Sequence, residues 1–181
     1  MDKKIKALFK SKQGIKLDLG CGGNKQAGFV GMDIRKLPTV DIVHDAEVVP
    51  YPLPDESCLI VLMSHMIEHM CPKKVLGIMN ELWRITKKDG QLWLSMPYAH
   101  SHGFWQDPTH CHTWNETTPI YFDPFPKILG GQRSIYYDIY KPKPWQIIKN
   151  DWNENGNLEV VLQKRLTDSL TVEEKQKYGK K

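Results

Sequence analysis

A glycine-rich turn directly after a short apolar run is the feature that most constrains how this chain can fold. Residues 14–17 (Gly-Ile-Lys-Leu) predict a short buried strand, and residues 18–22 continue as Asp-Leu-Gly-Cys-Gly. Glycine lets the backbone bend sharply and lets a ligand lie against the main chain. In open α/β sheets, ligands bind in the crevice at the carboxyl ends of the strands. The turn therefore predicts a nucleotide-like ligand beside Gly20 and Gly22.

The next two apolar runs each end in a carboxylate. Residues 29–33 end in Asp33, and residues 40–45 end in Asp45. An acidic residue at the end of the second strand can accept hydrogen bonds from both hydroxyls of a ribose. Taken singly, each aspartate is equally well explained as an ordinary turn residue. Three successive strand ends that carry glycine or aspartate favour a binding site.

The middle of the chain predicts a strand, a helix and a second strand. Residues 58–63 are continuously apolar, as in a strand buried on both faces. A helix is predicted from Pro72 to about residue 85, closed by residues 87–90, and the next strand covers residues 91–96. This order implies a parallel crossover. Residues 145–152 and 158–166 flank an Asn- and Gly-rich turn, which predicts an antiparallel C-terminal hairpin. The fold class is therefore α/β, with a mostly parallel sheet.

The length of 181 residues suits a single domain, which we place at residues 1–166. Within it, residues 97–144 are rich in histidine, aromatic residues and proline and show little periodicity. Long segments of this kind are more often functional than inert. We expect residues 97–144, the capping segment, to cover the crevice at the strand ends. Residues 167–181 are polar and are predicted to form a flexible tail.

Charge and cysteine content narrow the class of protein. The net charge is +4 without a clustered basic stripe, which gives only weak support to a nucleic-acid partner. No apolar stretch has the length of a membrane span, and the basic residues 1–6 lack the apolar segment of a secretory signal. The four cysteines form no Cys-x-x-Cys pair. We therefore expect a reducing, cytoplasmic location and no membrane partner.

Several stretches, taken together and in this order, resemble the class I S-adenosylmethionine-dependent methyltransferases. They are residues 17–22 (Leu-Asp-Leu-Gly-Cys-Gly), 31–33, 44–46, 53–57, 64–69 and 81–90. The resemblance covers roughly residues 15–97 and is to the small, Rossmann-like, methyltransferase-11-like members. It implies a Rossmann-like sheet, S-adenosylmethionine as the cofactor, and methyl transfer to an acceptor that the sequence does not identify.

The resemblance also implies which residues bind the cofactor. Those at its amino-acid end would be Asp18, Gly20, Cys21 and Gly22. Asp33 would hold the ribose hydroxyls. Those at the adenine would be Ile34, Asp45 and Ala46. Ser64 and His65 would face the methionine part and the methyl group.

The chain departs from the family pattern at two places. Asn24 stands where the third glycine of the turn is usual, and the segment between Gly22 and Asp33 is too short for a full first helix. Both departures predict a shallower pocket with weaker affinity for the cofactor. They leave open a second function, that of a catalytically inactive module that keeps the fold.

Residues 65–69 (His-Met-Ile-Glu-His) also match a zinc-peptidase pattern. On a helix, His65 and His69 would share one face and could chelate zinc. However, a predicted strand runs straight into the motif and Pro72 follows it, so a long helix is disfavoured. We expect a short turn here, with His69 near the mouth of the substrate site.

Residues 100–112 contain four histidines and allow three interpretations. They could form a metal site, which would suit a metal-binding hydrolase; they could form a substrate pocket; or they could be structural. We favour the substrate pocket and assign no metal ligand. A histidine titrates near neutral pH and suits deprotonation of an acceptor. The predicted base is His110, aimed by the Asp107-Pro108 turn, with His69 and His102 behind it. The acceptor, a small molecule or a macromolecule, and the oligomeric state are left open.

Overall fold

The computed structural model describes residues 7–9 and 13–178. Residues 1–6, on which the expectation about a secretory signal depends, lie outside the described residues, as do residues 179–181 of the predicted tail. Within the described ranges, no helix is long and apolar enough to cross a membrane.

A seven-stranded sheet forms the centre of the molecule, in the order β3-β2-β1-β4-β5-β7-β6. The strands are β1 (Ile15–Leu19), β2 (Val30–Asp33), β3 (Ile42–Val43), β4 (Cys58–Ser64), β5 (Thr86–Pro97), β6 (Trp145–Trp152) and β7 (Asn157–Lys164). Strands β1 to β5 pair in parallel, whereas β7 is antiparallel to both β5 and β6. The predicted α/β class, the mostly parallel sheet and the antiparallel C-terminal hairpin are confirmed.

The strand order creates a crevice beside β1. The chain passes from β1 outward to β2 and β3 and then returns to pair β4 with the opposite side of β1. The connection after β1 therefore leads to one side of it and the connection after β3 leads to the other, and the carboxyl ends of β1, β2 and β4 surround one gap. Such a switch point is where open α/β sheets bind ligands. The glycine-rich turn lies at this position, as the sequence predicts.

The helices are α1 (Val75–Ile85), α2 (His102–Trp105), α3 (Ile135–Tyr140) and α4 (Val172–Tyr178). Helix α1 follows a 3-10 turn that starts at Pro72, as predicted. Its predicted closure at Gly90 is wrong, because the helix ends at Ile85 and β5 begins at Thr86. The Thr86 hydroxyl donates a hydrogen bond to the Leu82 carbonyl, and the register of β4 against β5 shifts in the next residues. Residues 87–90 thus form an irregular start of the strand.

The connection between β1 and β2 is short and contains only turns over residues 20–29, a fully described part of the chain. It is closed by local hydrogen bonds, from the Asn24 amide to the Cys21 carbonyl and from the Phe29 amide to the Gln26 carbonyl. The usual first helix is therefore missing, as the spacing between Gly22 and Asp33 predicts.

The capping segment docks on the sheet through its own buried aromatic residues. Trp114 and Phe122 are buried and stack with their ring centroids 5.8 Å apart. Trp114 forms a β-bridge with Tyr98, and the Phe122 carbonyl accepts a hydrogen bond from the Trp145 amide.

The residues after β7 also make contacts. Arg165 forms an ion pair with Glu174 of α4 at 2.6 Å. The domain boundaries and the flexibility of residues 167–181 stay predictions.

Candidate cofactor and catalytic site

A cavity of about 540 Å³ lies at the carboxyl ends of β1, β2, β3 and β4. Its walls come from the segments that directly follow these four strands. The residues that line it are Leu19, Gly20, Met32, Asp33, Ile34, Arg35, His44, Asp45, Ala46, Glu47, His65, Met66, His69 and Met70. The lining therefore combines carboxylates and histidines with apolar side chains, as a site for a ligand with polar and apolar parts requires.

Asp33 connects the cavity to the glycine-rich turn. Its Oδ2 accepts a hydrogen bond from the Gly22 amide at 2.8 Å, and its Oδ1 accepts from the Arg35 amide at 2.8 Å and from Arg35 Nε at 3.1 Å. Burial acts to raise the pKa of Asp33, but these hydrogen bonds outweigh it and hold the pKa below the ordinary value. The carboxylate is therefore ionised at neutral pH and retains lone pairs for a further donor.

Gly20 forms the floor of the cavity in a conformation that suits glycine. Its φ of 79° lies in the left-handed region, and its amide donates to the Met32 carbonyl at 2.7 Å. A Cβ atom at this position would overlap the side chain of Met66, which also lines the cavity. The sequence requires glycine here for both conformation and space.

The structure divides the ten residues that the resemblance assigns to the cofactor. Those that line the cavity are Gly20, Asp33, Ile34, Asp45, Ala46 and His65. Those outside the lining are Asp18, Cys21, Gly22 and Ser64.

Asp18 and Cys21 lie outside the lining and belong to the glycine-rich turn next to it. Asp18 is buried and accepts a hydrogen bond from the Gln26 amide at 2.7 Å. Burial raises the pKa of Asp18. Burial, together with the nearby Asp18 and Asp33, also raises the pKa of the Cys21 thiol to about 11. Both groups shape the turn, whereas Ser64 is exposed at the end of β4.

Two charged residues of the lining, Glu47 and Arg35, are not predicted from the sequence. Glu47 accepts hydrogen bonds from the Cys71 amide at 2.6 Å and from Lys74 at 2.9 Å, and these two contacts lower the pKa of Glu47. It thereby ties the segment after β3 to the segment after β4. Nothing in its sequence context signals this contact, because Cys71 is 24 positions away. Arg35 could have been found, since it lies two residues beyond Asp33.

A strained turn carries the histidine motif after β4. His65 has a φ of 51°, and a 3-10 turn covers Ile67–His69, so the motif forms the expected short turn rather than a helix. The turn buries Glu68, which is 1% exposed. His65 Nδ1 lies 3.5 Å from Glu68 Oε1, and this contact raises the pKa of His65.

The capping segment brings His110 to the same turn. The Cys111 amide donates to the Glu68 carbonyl at 2.8 Å, and this bond joins segments that are distant in sequence. The His69 and His110 rings then lie 4.7 Å apart, in an edge-to-face arrangement. His110 Nε2 is 3.9 Å from Glu68 Oε1 and 4.0 Å from Asp107 Oδ2. Three of the four predicted catalytic residues thus meet at one place.

The other histidines of residues 100–112 do not join this group. His100 and His102 are exposed. His112 lines a separate, mainly apolar cavity of about 380 Å³, and burial lowers the pKa of His112. The run of histidines is therefore not one site. His102, predicted with His110, is exposed at the start of α2, and no hydrogen bond joins its ring to the group within the described residues.

Comparisons with known proteins agree with this geometry. A family profile described as a methyltransferase domain matches residues 17–94. No curated protein matches the chain. Among solved structures, a SAM-dependent methyltransferase from Archaeoglobus fulgidus is similar with a TM-score of 0.56 and 17% identity, over 90% of both chains.

Two further archaeal structures are similar to the chain. The PH0226 protein from Pyrococcus horikoshii OT3 has a TM-score of 0.55 and 15% identity, over 90% of this chain and 88% of that one. The complex between the Haloferax volcanii Trm112 methyltransferase activator and a methyltransferase gives 0.55 and 13%, over 90% and 89%. At these identities the structures show a shared fold.

The matched profile and the shared fold indicate S-adenosylmethionine as the cofactor. The profile runs from within β1 to within β5 and includes the strand ends that build the cavity. Over residues 17–94, the chain therefore matches a methyltransferase domain, and its sheet shares the fold of the S-adenosylmethionine-dependent methyltransferases.

Proposed function

We propose that the chain transfers a methyl group from S-adenosylmethionine, bound in the 540 Å³ cavity, to an acceptor that enters beside His69 and His110. One observation carries this proposal. Asp33 lines the cavity and is bonded to the Gly22 amide, so the predicted ribose site and the predicted amino-acid site are adjacent. The other cofactor contacts are proposed for Gly20, Ile34 and Asp45 on the lining.

Methyl transfer requires two things of the protein: it must position the methyl donor against the acceptor, and it must accept a proton from the acceptor. The cofactor carries the activated methyl group, so the cavity must align it with the acceptor and exclude water. An oxygen or nitrogen acceptor must also lose a proton. His110 Nδ1 donates to the Phe104 carbonyl at 2.7 Å, which leaves Nε2 free to accept that proton. We therefore assign the base to His110.

The neighbours of His110 have supporting roles in this proposal. Asp107 Oδ1 accepts hydrogen bonds from the Thr109 amide and hydroxyl, at 2.8 and 2.6 Å, and thereby fixes the turn. The Thr109 hydroxyl in turn contacts His69 Nδ1 at 3.0 Å. Asp107 is thus a positioning residue, and His69 faces the cavity. His102 is exposed, and its only role in this proposal is contact with the acceptor.

The acceptor and the cellular location belong to the proposal as well. The acceptor is a small molecule or a macromolecule, and its approach is from the side of the capping segment. All four cysteines are free thiols, one of them exposed, which supports a reducing compartment such as the cytoplasm.

Calorimetric titration with S-adenosylhomocysteine tests the cofactor site. We expect the wild-type chain to bind, and Asp33→Asn to weaken binding at least about 10-fold, because a charged acceptor of two ribose hydroxyls is lost. Asp41→Asn is the matched control. Asp41 likewise accepts from a backbone amide (Gly31, 2.8 Å) and a basic side chain (Lys25, 2.6 Å), but it does not line the cavity.

The two variants separate binding from folding. Equal affinity in Asp33→Asn and wild type would contradict the ribose assignment, and an equal loss in both variants would assign the effect to folding. Absence of binding by the wild-type chain would favour the inactive module.

A further inference from the structure

We propose that Glu68, His69 and His110 form a binding site for a divalent transition-metal ion of the zinc type. One ligand atom from each residue lies within 4.8 Å of the other two. Two imidazoles and one carboxylate, with a further position open, are the ligand set of many catalytic zinc sites. The inference goes beyond the proposed function, because the ion would bind without the methyl donor.

The buried carboxylate of Glu68 is the observation that points to a ligand. Glu68 is 1% exposed, and neither of its oxygens accepts a hydrogen bond from the described residues. A buried, ionised carboxylate without hydrogen bonds is costly unless a cation pairs with it. The nearest basic groups are His65 Nδ1 at 3.5 Å and His110 Nε2 at 3.9 Å from Oε1. These contacts are longer than charge-assisted hydrogen bonds, so the charge of Glu68 is incompletely compensated.

The hydrogen bonds of His110 prepare one nitrogen as a ligand. Its Nδ1 must donate to the Phe104 carbonyl at 2.7 Å, so the neutral ring carries its lone pair on Nε2, which faces Glu68. Metal-binding histidines usually donate their other nitrogen to a carbonyl or carboxylate in this way.

A second chain of hydrogen bonds prepares His69. The Thr109 hydroxyl has a single proton, which it donates to Asp107 Oδ1 at 2.6 Å. It can therefore only accept from His69 Nδ1, at 3.0 Å, so that the neutral His69 ring carries its lone pair on Nε2. The Asp107–Thr109 turn thus orients the second imidazole as a ligand.

An ion would draw the three ligand atoms closer together than the 4.8 Å within which they now lie. Metal bonds of about 2.0–2.2 Å place two ligands of a tetrahedral zinc ion about 3.4 Å apart. His110 Nε2 and Glu68 Oε1 are 3.9 Å apart, which exceeds that spacing by about 0.5 Å.

The position of the site suggests what the ion would do, and this step rests on the proposed function. His69 belongs both to the metal group and to the cavity lining. An oxygen of the acceptor in the open position would be polarised by the ion, which lowers the pKa of a hydroxyl. In the metal-loaded chain His110 is then a ligand, and the ion takes over its part in activating the acceptor. A hydroxyl acceptor is therefore favoured over an amine.

Titration of tag-free, chelator-treated protein with Co²⁺, followed by the visible absorption of the bound ion, tests the site. We expect one ion per chain, displaced by Zn²⁺. Glu68→Gln and His110→Ala should each weaken binding at least about 100-fold, and Thr109→Val about 10-fold through the lost contact to His69. His102→Ala, an exposed histidine of the same segment, is the matched control and should bind as wild type.

Three further results test the proposed metal site. Cys111→Ser should bind normally, because its thiol is outside the trio; loss of binding in it would overturn the ligand set. Without metal, Glu68→Gln should raise the melting temperature, since it removes a buried charge, whereas a purely structural Glu68–His65 ion pair predicts a decrease. Absence of cobalt binding, or equal binding by Glu68→Gln and wild type, would overturn the inference.

These outcomes are separate from the test of the methyl-donor site. A chain that binds S-adenosylhomocysteine but no cobalt contradicts only the metal site. A chain that binds cobalt but no S-adenosylhomocysteine contradicts only the proposed function.

Discussion

Two buried aspartates close to the glycine-rich turn, Asp18 and Asp33, have pKa values shifted in opposite directions. Burial raises the pKa of Asp18, which has one backbone hydrogen bond. Asp33 is buried too, but the contacts from Arg35 and Gly22 lower its pKa. The same side chain therefore destabilises the fold as an anion at position 18 and stabilises it at position 33. The difference follows from the number of donors that each carboxylate receives.

Stability measured against pH should distinguish the two residues. The contribution of Asp33 is present above its ordinary pKa of 3.8 and is lost as the pH falls through the lower, folded value. Asp33→Asn should therefore lower the free energy of unfolding by about 1 kcal/mol at pH 7, and the deficit should close only below about pH 3.8.

Asp18→Asn should behave in the opposite way. The cost of the Asp18 anion is fully present above its raised pKa and disappears as the pH falls to 3.8. The variant should be more stable than wild type at pH 7, and this advantage should shrink as the pH approaches 3.8. Urea unfolding across this range measures both; differences that do not change with pH would contradict the account.

At this scale, the sequence predicts residues that lie next to a recognisable strand end. Gly20, Asp33, Asp45 and His65 are such residues, and all line the cavity. Glu68 could be found only as part of a peptidase-like pattern. Its burial and its contact with His110 depend on a backbone hydrogen bond between segments 43 positions apart, from Cys111 to Glu68, which no local pattern encodes.

Among the elements, the short connection between β1 and β2 is the most unusual. It replaces a helix with turns, and three of its glycines have positive φ values, 79° for Gly20, 51° for Gly22 and 80° for Gly28. Gly20 is also limited by space, because a Cβ atom there would meet Met66, and at Gly22 it would meet the end of the flexible Arg35 side chain. At Gly28, no atom of the described residues beyond its two chain neighbours lies within 4 Å of such a Cβ.

Alanine at Gly20 and at Gly28 should separate backbone strain from the closing of the cavity. In both variants the left-handed conformation of the alanine should lower the free energy of unfolding by about 1–2 kcal/mol. Gly20→Ala should in addition displace Met66 and weaken S-adenosylhomocysteine binding at least about 10-fold, whereas Gly28→Ala should keep wild-type affinity. Thermal unfolding and calorimetry give the two quantities. Equal affinities in both variants would show that Gly20 does not shape the cavity.

Element boundaries were predicted well where periodicity or a turn signal was strong. The β6–β7 hairpin lies where its Asn- and Gly-rich turn places it. The end of α1 was misplaced because Lys87–Gly90 resembles a helix stop, whereas Thr86 already has extended backbone (ψ 135°). The capping segment has no period of its own, and its path follows from buried contacts such as Trp114 with Phe122.

For the whole molecule, the sheet order explains why distant residues meet. The strand ends contribute the cavity, and the capping segment adds His110 to the turn after β4. The central claim is that this cavity holds the methyl donor, with its ribose on Asp33 and its sulfur toward the two histidines.

A crystal structure of the chain with S-adenosylhomocysteine tests this claim most directly. We predict the ribose hydroxyls within hydrogen-bond distance of the Asp33 carboxylate, the amino-acid end beside Gly20 and Gly22, and the sulfur facing His69 and His110. The ligand bound elsewhere, such as in the aromatic cavity beside Trp114, or its ribose turned away from Asp33, would contradict the account.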